Sequence, residues 1–66
     1  MHLYLVRIVD RADFNRTARR IICKSNRAAL NWAIVNRDEL AEAARARGDD
    51  MIDYDYEIVA ITYLDN

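Results

Sequence analysis

A chain of 66 residues makes one domain, and at this size only about 60 % of the surface exposed by the unfolded chain is buried on folding. A content of 53 % hydrophobic and 32 % charged residues excludes a disordered chain, while a single cysteine and a single histidine exclude an internal disulfide and a Cys/His zinc set. The net charge of −1 conceals a split: residues 1–37 carry eight Lys or Arg against two Asp, and residues 38–66 carry nine acids against two Arg, so +6 stands against −7.

The first element in chain order is LYLVRIV, Leu3 to Val9, whose β-branched and aromatic residues predict a strand ending at Asp10. The polar stretch DRADFNRT, Asp10 to Thr17, holds turn-tolerant Asp and Asn without Gly or Pro, and reads as a hairpin loop longer than the tight two-residue kind. A second strand follows as ARRIICK, Ala18 to Lys24. Ser25 or Asn26 then offers a side-chain acceptor to the first free amides of a helix, and Ala28, Ala29, Leu30, Trp32, Ala33, Ile34 and Val35 form its apolar run. Asn36 stands three residues before Glu39, the spacing of a capping box, so either a kinked helix or two short helices fit the stretch through Arg47. Arg45 and Arg47 suit the negative end of the helix dipole, and Gly48 supplies the left-handed residue that ends it. After an acidic linker, YDYEIVAITYL from Tyr54 to Leu64 is a long third strand.

The order β-β-α-β with a hairpin and a right-handed crossover predicts an α+β fold, a three-stranded antiparallel sheet ordered 2-1-3 with the helix on one face. Alternation places Tyr4, Val6 and Ile8 on one face of the first strand and Leu3, Leu5, Arg7 and Val9 on the other; in the third it parts Tyr56, Ile58, Ala60 and Leu64 from Glu57, Val59, Ile61 and Tyr63. Both faces are apolar, and one helix covers only one of them. Leu3, Leu5, Val9, Ile22, Val59, Ile61 and Tyr63 are therefore expected to form an open apolar patch rimmed by Arg7, Arg20, Lys24 and Glu57. A core this small rarely supplies more than about 3–5 kcal/mol unaided, so the patch is expected either to close a homodimer or to capture a partner.

The charged residues give two further candidate surfaces. Asp49, Asp50, Asp53, Asp55 and Glu57 fail the calcium-loop test, because Met51, Ile52, Tyr54 and Tyr56 stand where ligating oxygens and small residues belong, so no metal is expected. Asp53, Asp55 and Glu57 alternate instead, which spaces their carboxylates about 6.6 Å apart, near the repeat of phosphates on a nucleic-acid strand. A guarded strand edge is the plainer reading of the same row. Arg11, Arg16, Arg19, Arg20, Lys24 and Arg27 form the opposite surface, able to neutralise phosphates with Phe14 placed to stack on a base, although the overall charge lacks the basic excess usual for such binders. With the second and third strands on opposite sides of the first, the two surfaces are not expected to neutralise each other within one chain. His2, Cys23 and Trp32 read as structural residues: no nucleophile neighbours His2, Cys23 shares a strand face with Ile21, and Trp32 lies in the helical apolar run. A chain this short leaves little room for a water-excluding catalytic pocket, so no enzyme activity and no cofactor are expected.

The opening M-H-L-Y-L-V, the second strand I-I-C-K-S leading into N-R-A-A-L, and the closing strand resemble small phage and prophage proteins of β-β-α-β build, over most of the chain in outline. Some proteins of that type are anti-CRISPR inhibitors, which work without catalysis by occupying nucleic-acid or subunit-contact surfaces of an effector complex. The resemblance implies an inhibitor that binds a host protein or ribonucleoprotein complex in the host cytoplasm. A leader segment and a membrane span are both missing from the pattern, which agrees with a cytoplasmic location. The alternative function is a small homodimeric nucleic-acid-binding accessory protein using the basic hairpin.

Overall fold

The computed structural model describes residues 2–49 and 51–62, with the side chains of Phe14 and Thr62 outside that description. Strand β1 runs His2–Asp10, β2 Asp13–Cys23, helix α1 Asn26–Ala46 and β3 Tyr54–Thr62. The sheet order is β2-β1-β3 with both pairings antiparallel, the β-β-α-β arrangement expected from the order of elements. Roles read from the sequence for the Phe14 side chain, Asp50, Tyr63 and Leu64 lie outside the described residues.

Helix α1 lies antiparallel to β2 and covers one sheet face. Val6, Ile8, Cys23, Ala29 and Ala33 form the buried cluster, with Tyr4, Trp32, Leu40, Tyr54, Tyr56 and Ile58 packed around it. Ala29 and Ala33 are fully buried one helical turn apart. Their small side chains let the helix backbone approach the sheet, while Trp32 and Leu40 fill the flank. The free thiol of Cys23 behaves here as a small buried hydrophobe.

Both helix ends are capped by local chemistry. Ser25 is extended, with φ −139° and ψ 153°, and its Oγ accepts from the Ala28 amide at 3.1 Å. At the other end Gly48 has φ 78°, the Gly48 amide donates to the Arg45 carbonyl at 2.9 Å, and the Asp49 amide donates to the Ala44 carbonyl at 2.9 Å. These two bonds are the Schellman pair that a left-handed residue after the cap permits.

Two expectations are corrected. First, of the two alternatives for the helical stretch, two short helices are not formed, since α1 runs unbroken through Asn36. Asn36 and Glu39 do not cap a second helix; the i, i+3 spacing puts both on one helix face, where each accepts from the Arg19 guanidinium, at 2.8 and 2.9 Å. The Asn36 amide nitrogen in turn donates to the Trp32 carbonyl at 2.8 Å, and the helix carries on past it. Second, the hairpin loop is only Arg11 and Ala12, since β2 begins at Asp13 rather than Ala18. Favoured two-residue hairpin turns need positive φ, which no described residue other than Gly48 has. Asp10 supplies an alternative, its Oδ1 accepting from the Ala12 amide at 2.9 Å, and Asp13 does the same for Asn15 at 3.0 Å. The mismatch is absorbed just beyond the turn: Val9 pairs with Thr17 and Asp10 with Asp13, leaving Phe14 to Arg16 unmatched, and Ala18 is skipped between Arg19 and Thr17. The part of β2 that reads as loop is thus the part with broken register.

Replacing Gly48 by Ala is expected to cost about 1 kcal/mol from left-handed strain alone, because nothing lies within 4 Å of the added methyl. Ser25→Ala should cost a similar amount, about 1 kcal/mol, through the lost cap. Urea unfolding of both variants beside Val35→Ala, a change at an exposed helix position, measures these losses against a near-neutral reference.

Candidate functional site: the open sheet face

The register places Leu5 between Ile22 of β2 and Val59 of β3, and Leu3 opposite Ile61. These five side chains share the sheet face opposite the helix, because their pleat is out of phase with Tyr4, Val6 and Ile58. Ile22 is 58 % exposed, Val59 and Ile61 are exposed, and Leu3 and Leu5 are half-buried. A shallow depression lined by Leu5, Arg20, Ile21 and Ile22 marks the β2 side of the patch.

Val9 departs from the expected patch. It is fully buried, as is its neighbour Ile8. Register slips on both sides of Val9 place extra β2 residues beside it, and a bulge of this kind bends the strand and re-aims its side chains. The exposed patch therefore stops at Arg7. Tyr63, which would extend it at the other end, lies outside the described residues.

Arg7 closes the patch with a fixed polar row. Its Nη2 lies 2.8 Å and its Nε 2.9 Å from Oε2 of Glu57 on β3, while Nη1 donates to the Thr17 hydroxyl of β2 at 3.1 Å. One guanidinium thus ties all three strands together across the open face. Arg20 pairs with Arg7 in register and is exposed beside it.

The charged surfaces read from the sequence are rearranged by these contacts. Arg11 and Asp53 form an ion pair at 3.1 Å, reinforced by the Arg11 amide donating to the Asp53 carbonyl at 2.9 Å, so the hairpin tip is pinned to the linker before β3. Together with Arg7 and Glu57, this pair joins the basic and acidic halves within one chain, against the expectation that they stay apart. In the acidic row, Asp53 and Glu57 face cations, and Oδ1 of Asp55 accepts from the Tyr56 amide at 2.8 Å. Among the described residues no three His, Cys, Asp or Glu side chains gather as a metal site. Asp49 sits apart from this row at the helix end, where its amide caps Ala44.

The basic surface is split as well. Arg19 pairs with Ile8 and points to the helix face, whereas Arg20 pairs with Arg7 on the open face. Arg19 is held by Asn36 and Glu39, and Arg11 by Asp53. Arg16, Arg20, Lys24 and Arg27 have no acidic partner among the described residues. Sequence reasoning missed one contact that organises the β3 side: the Arg37 guanidinium lies 5.3 Å from the centre of the Tyr56 ring. The helical spacing from Ala33 to Arg37 puts both on the sheet-facing side, which is the signal that identifies it. No protein-family model, curated protein or solved structure matches the chain.

If Ile22 serves a surface rather than the core, Ile22→Ser changes stability by no more than about 0.5 kcal/mol, whereas Ile8→Ala in the buried cluster costs about 2–5 kcal/mol. Glu57→Gln, which removes a partly exposed ion pair, costs less than about 1 kcal/mol, and less again in high salt. Denaturant titrations at two salt concentrations separate the three values.

Proposed function

We propose that this protein is a non-enzymatic binding protein that docks its open sheet face on a host protein, in the manner of the phage-type inhibitors it resembles. Its target is a nucleic-acid machine such as a CRISPR effector complex, and it acts by occupying a contact surface on that machine. The observation that carries the docking mode is the exposure of Ile22, Val59 and Ile61 around Leu5, bordered by Arg20 and the Arg7–Glu57 pair. An apolar centre with Arg at its margin is the usual anatomy of a protein-binding patch. The choice of target follows from the resemblance.

The contacts favour docking through this face over imitation of a nucleic-acid strand by the acidic row. A phosphate mimic presents its carboxylates free, whereas Asp53 and Glu57 each face an arginine of the same chain. The row then shapes the rim of the patch and its electrostatic match to a partner.

A second reading, nucleic-acid binding by the β2 side, is favoured by one observation. Lys24 and Arg27 flank the start of α1, whose first turn holds no acid, so they add positive charge where the helix dipole is already positive. Arg16 and Arg20 continue that uncompensated charge along β2. Binding of this kind weakens steeply with salt, by about one power of salt concentration for each phosphate neutralised.

The test is interference in living cells: expression of the protein in bacteria whose CRISPR effector targets a phage should restore plaque formation by several orders of magnitude for the effector type it inhibits. Ile22→Glu and Val59→Glu should abolish the effect, while Arg16→Glu with Arg27→Glu should leave most of it. Unchanged plating across representative effector types overturns the choice of target. Loss of protection with the arginine variants, alongside a salt-sensitive shift of DNA or RNA, moves the function to the basic side.

A further inference from the structure

The two edges of the sheet are built differently. The β2 edge is interrupted by two register slips and carries Arg16, Arg19, Arg20 and Lys24, the combination of bulges and cations that keeps an edge from pairing. The β3 edge has no slip and no cation, and its charges, Asp55 and Glu57, both lie in its first half. Its nine residues pair with β1 without a slip, and from Ile58 to Thr62 it carries no charge, no proline and no glycine. No strand among the described residues covers its outer side.

The helix repeats this asymmetry. Arg37 lies over Tyr56 of β3, whereas Asn36 and Glu39 reach Arg19 of β2, so the two flanks of α1 are assigned by contact. At 100° per residue, Leu30 and Ile34 fall on the Arg37 flank. They are 40 % and 39 % exposed, on the flank of α1 nearer the β3 edge.

We infer that β3 is a homodimer edge, pairing antiparallel with β3 of a second copy about a two-fold axis near Ile58, with the Leu30 and Ile34 flanks of the two helices packed together above it. Three features commit the site to a second copy. In register about Ile58, Glu57 falls opposite Val59 and Asp55 opposite Ile61 of the other strand, so no acid stands directly opposite another, and the two Glu57 side chains, diagonal across the axis, are each held by Arg7 of their own chain. Tyr56 falls opposite Ala60 on the helix side, a large side chain against a small one. The same operation on β2, centred on Ala18, would set Arg16 against Arg20 twice.

The helix geometry agrees. Helix α1 shares its packing chiefly between β1 and β3. With strands about 4.8 Å apart, a helix axis lying between β1 and the β1–β3 gap stands about 5–7 Å from a two-fold axis placed beside β3, so the two helices come to about 10–14 Å, at or just beyond the ordinary packing distance of 8–10 Å and bridged by the Leu30 and Ile34 side chains. Height agrees as well. Ile58 lies two strand residues from Tyr56, about 6.6 Å, which corresponds to about four helix residues from Arg37 at 1.5 Å each. That places Ile34 level with the two-fold axis. The result is a six-stranded sheet with both helices on one side, and an open face left free for the docking proposed above. The inference does not rest on that docking, because it uses the outer backbone edge of β3 and the Leu30–Ile34 helix flank rather than the side chains of the open face.

Sedimentation equilibrium of the full chain from low to high micromolar concentration should show a reversible monomer–dimer equilibrium. Leu30→Lys combined with Ile34→Lys should weaken it about tenfold or more, equivalent to at least about 1.4 kcal/mol. Val35→Lys, on the outer helix face and 60 % exposed, should leave it intact, as should Ile22→Lys on the open face. Far-ultraviolet circular dichroism checks that each variant is folded, and Ala60→Lys at the strand edge gives the same reading should the double variant fail that check. A mass that stays monomeric at every concentration overturns the inference. So does a mass that climbs past the dimer, the mark of head-to-tail pairing of β2 with β3, or a dimer dissociated by Ile22→Lys and untouched at Leu30 and Ile34.

Discussion

One helix serves a sheet that is apolar on both faces, and the remaining features of the molecule follow from that shortage. Helix α1 buries Val6 and Ile8 against Ala29 and Ala33, and no second layer is left for Leu5, Ile22 and Val59. A soluble antiparallel sheet ordinarily meets water with polar residues on its free side. Here polar residues hold only the end of that side near the hairpin, where Arg7 joins Glu57 and Thr17. The molecule is thin in consequence, 11 Å across its narrowest backbone dimension, which leaves little interior to shape a pocket and much surface to offer.

The charge split along the chain acquires a different meaning once folded. Topology turns a difference between halves into a difference between edges, because β1 takes the centre and leaves β2 and β3 outside. The contrast is not left as two free patches. Arg11 with Asp53 and Arg7 with Glu57 bind the halves together on one side, and Arg19 with Glu39 fastens the helix to β2. These pairs are partly or largely exposed, so each adds little stability. Their effect is on position: they fix the hairpin tip, the rim of the open face and the helix against the sheet. Among the described residues Arg16, Arg20, Lys24 and Arg27 keep no acidic partner.

The strand order, the faces and both helix ends were legible in the sequence because each rests on short-range rules: period-two alternation, Ser25 before an apolar run, and Gly48 after the last turn. The misreadings share a different cause. Asn36 and Glu39 carry a genuine i, i+3 signal, yet Arg19, 17 residues from Asn36, takes both acceptors. Local spacing shows that two acceptors share a face and leaves open which donor arrives. The hairpin was misjudged because Asp10 and Asp13 replace glycine by accepting amide hydrogen bonds, and the misfit was exported to Phe14–Arg16 and Ala18. Val9 followed from that slip, since a strand face inferred from alternation holds only while register holds. Among the candidate residues, those that share the open face lie in the regular part of the ladder, Leu3, Leu5, Ile22, Val59 and Ile61.

Regularity itself distinguishes the two edges. The slips in β2 follow from a hairpin built without a positive-φ residue, and they sit on the strand that also carries the cations. Strand β3 arrives by a helical crossover rather than a tight hairpin turn and pairs evenly along its whole described length. The turn thus breaks the register of one edge strand, while the opposite edge is regular over its described residues. Protection against unwanted pairing accumulates where the turn already breaks the ladder, and the even edge keeps its unpaired backbone groups in a line under an apolar helix flank. For a domain whose largest fully buried side chains among the described residues are Ile8, Val6 and Val9, that line is one route to further burial beside the open face.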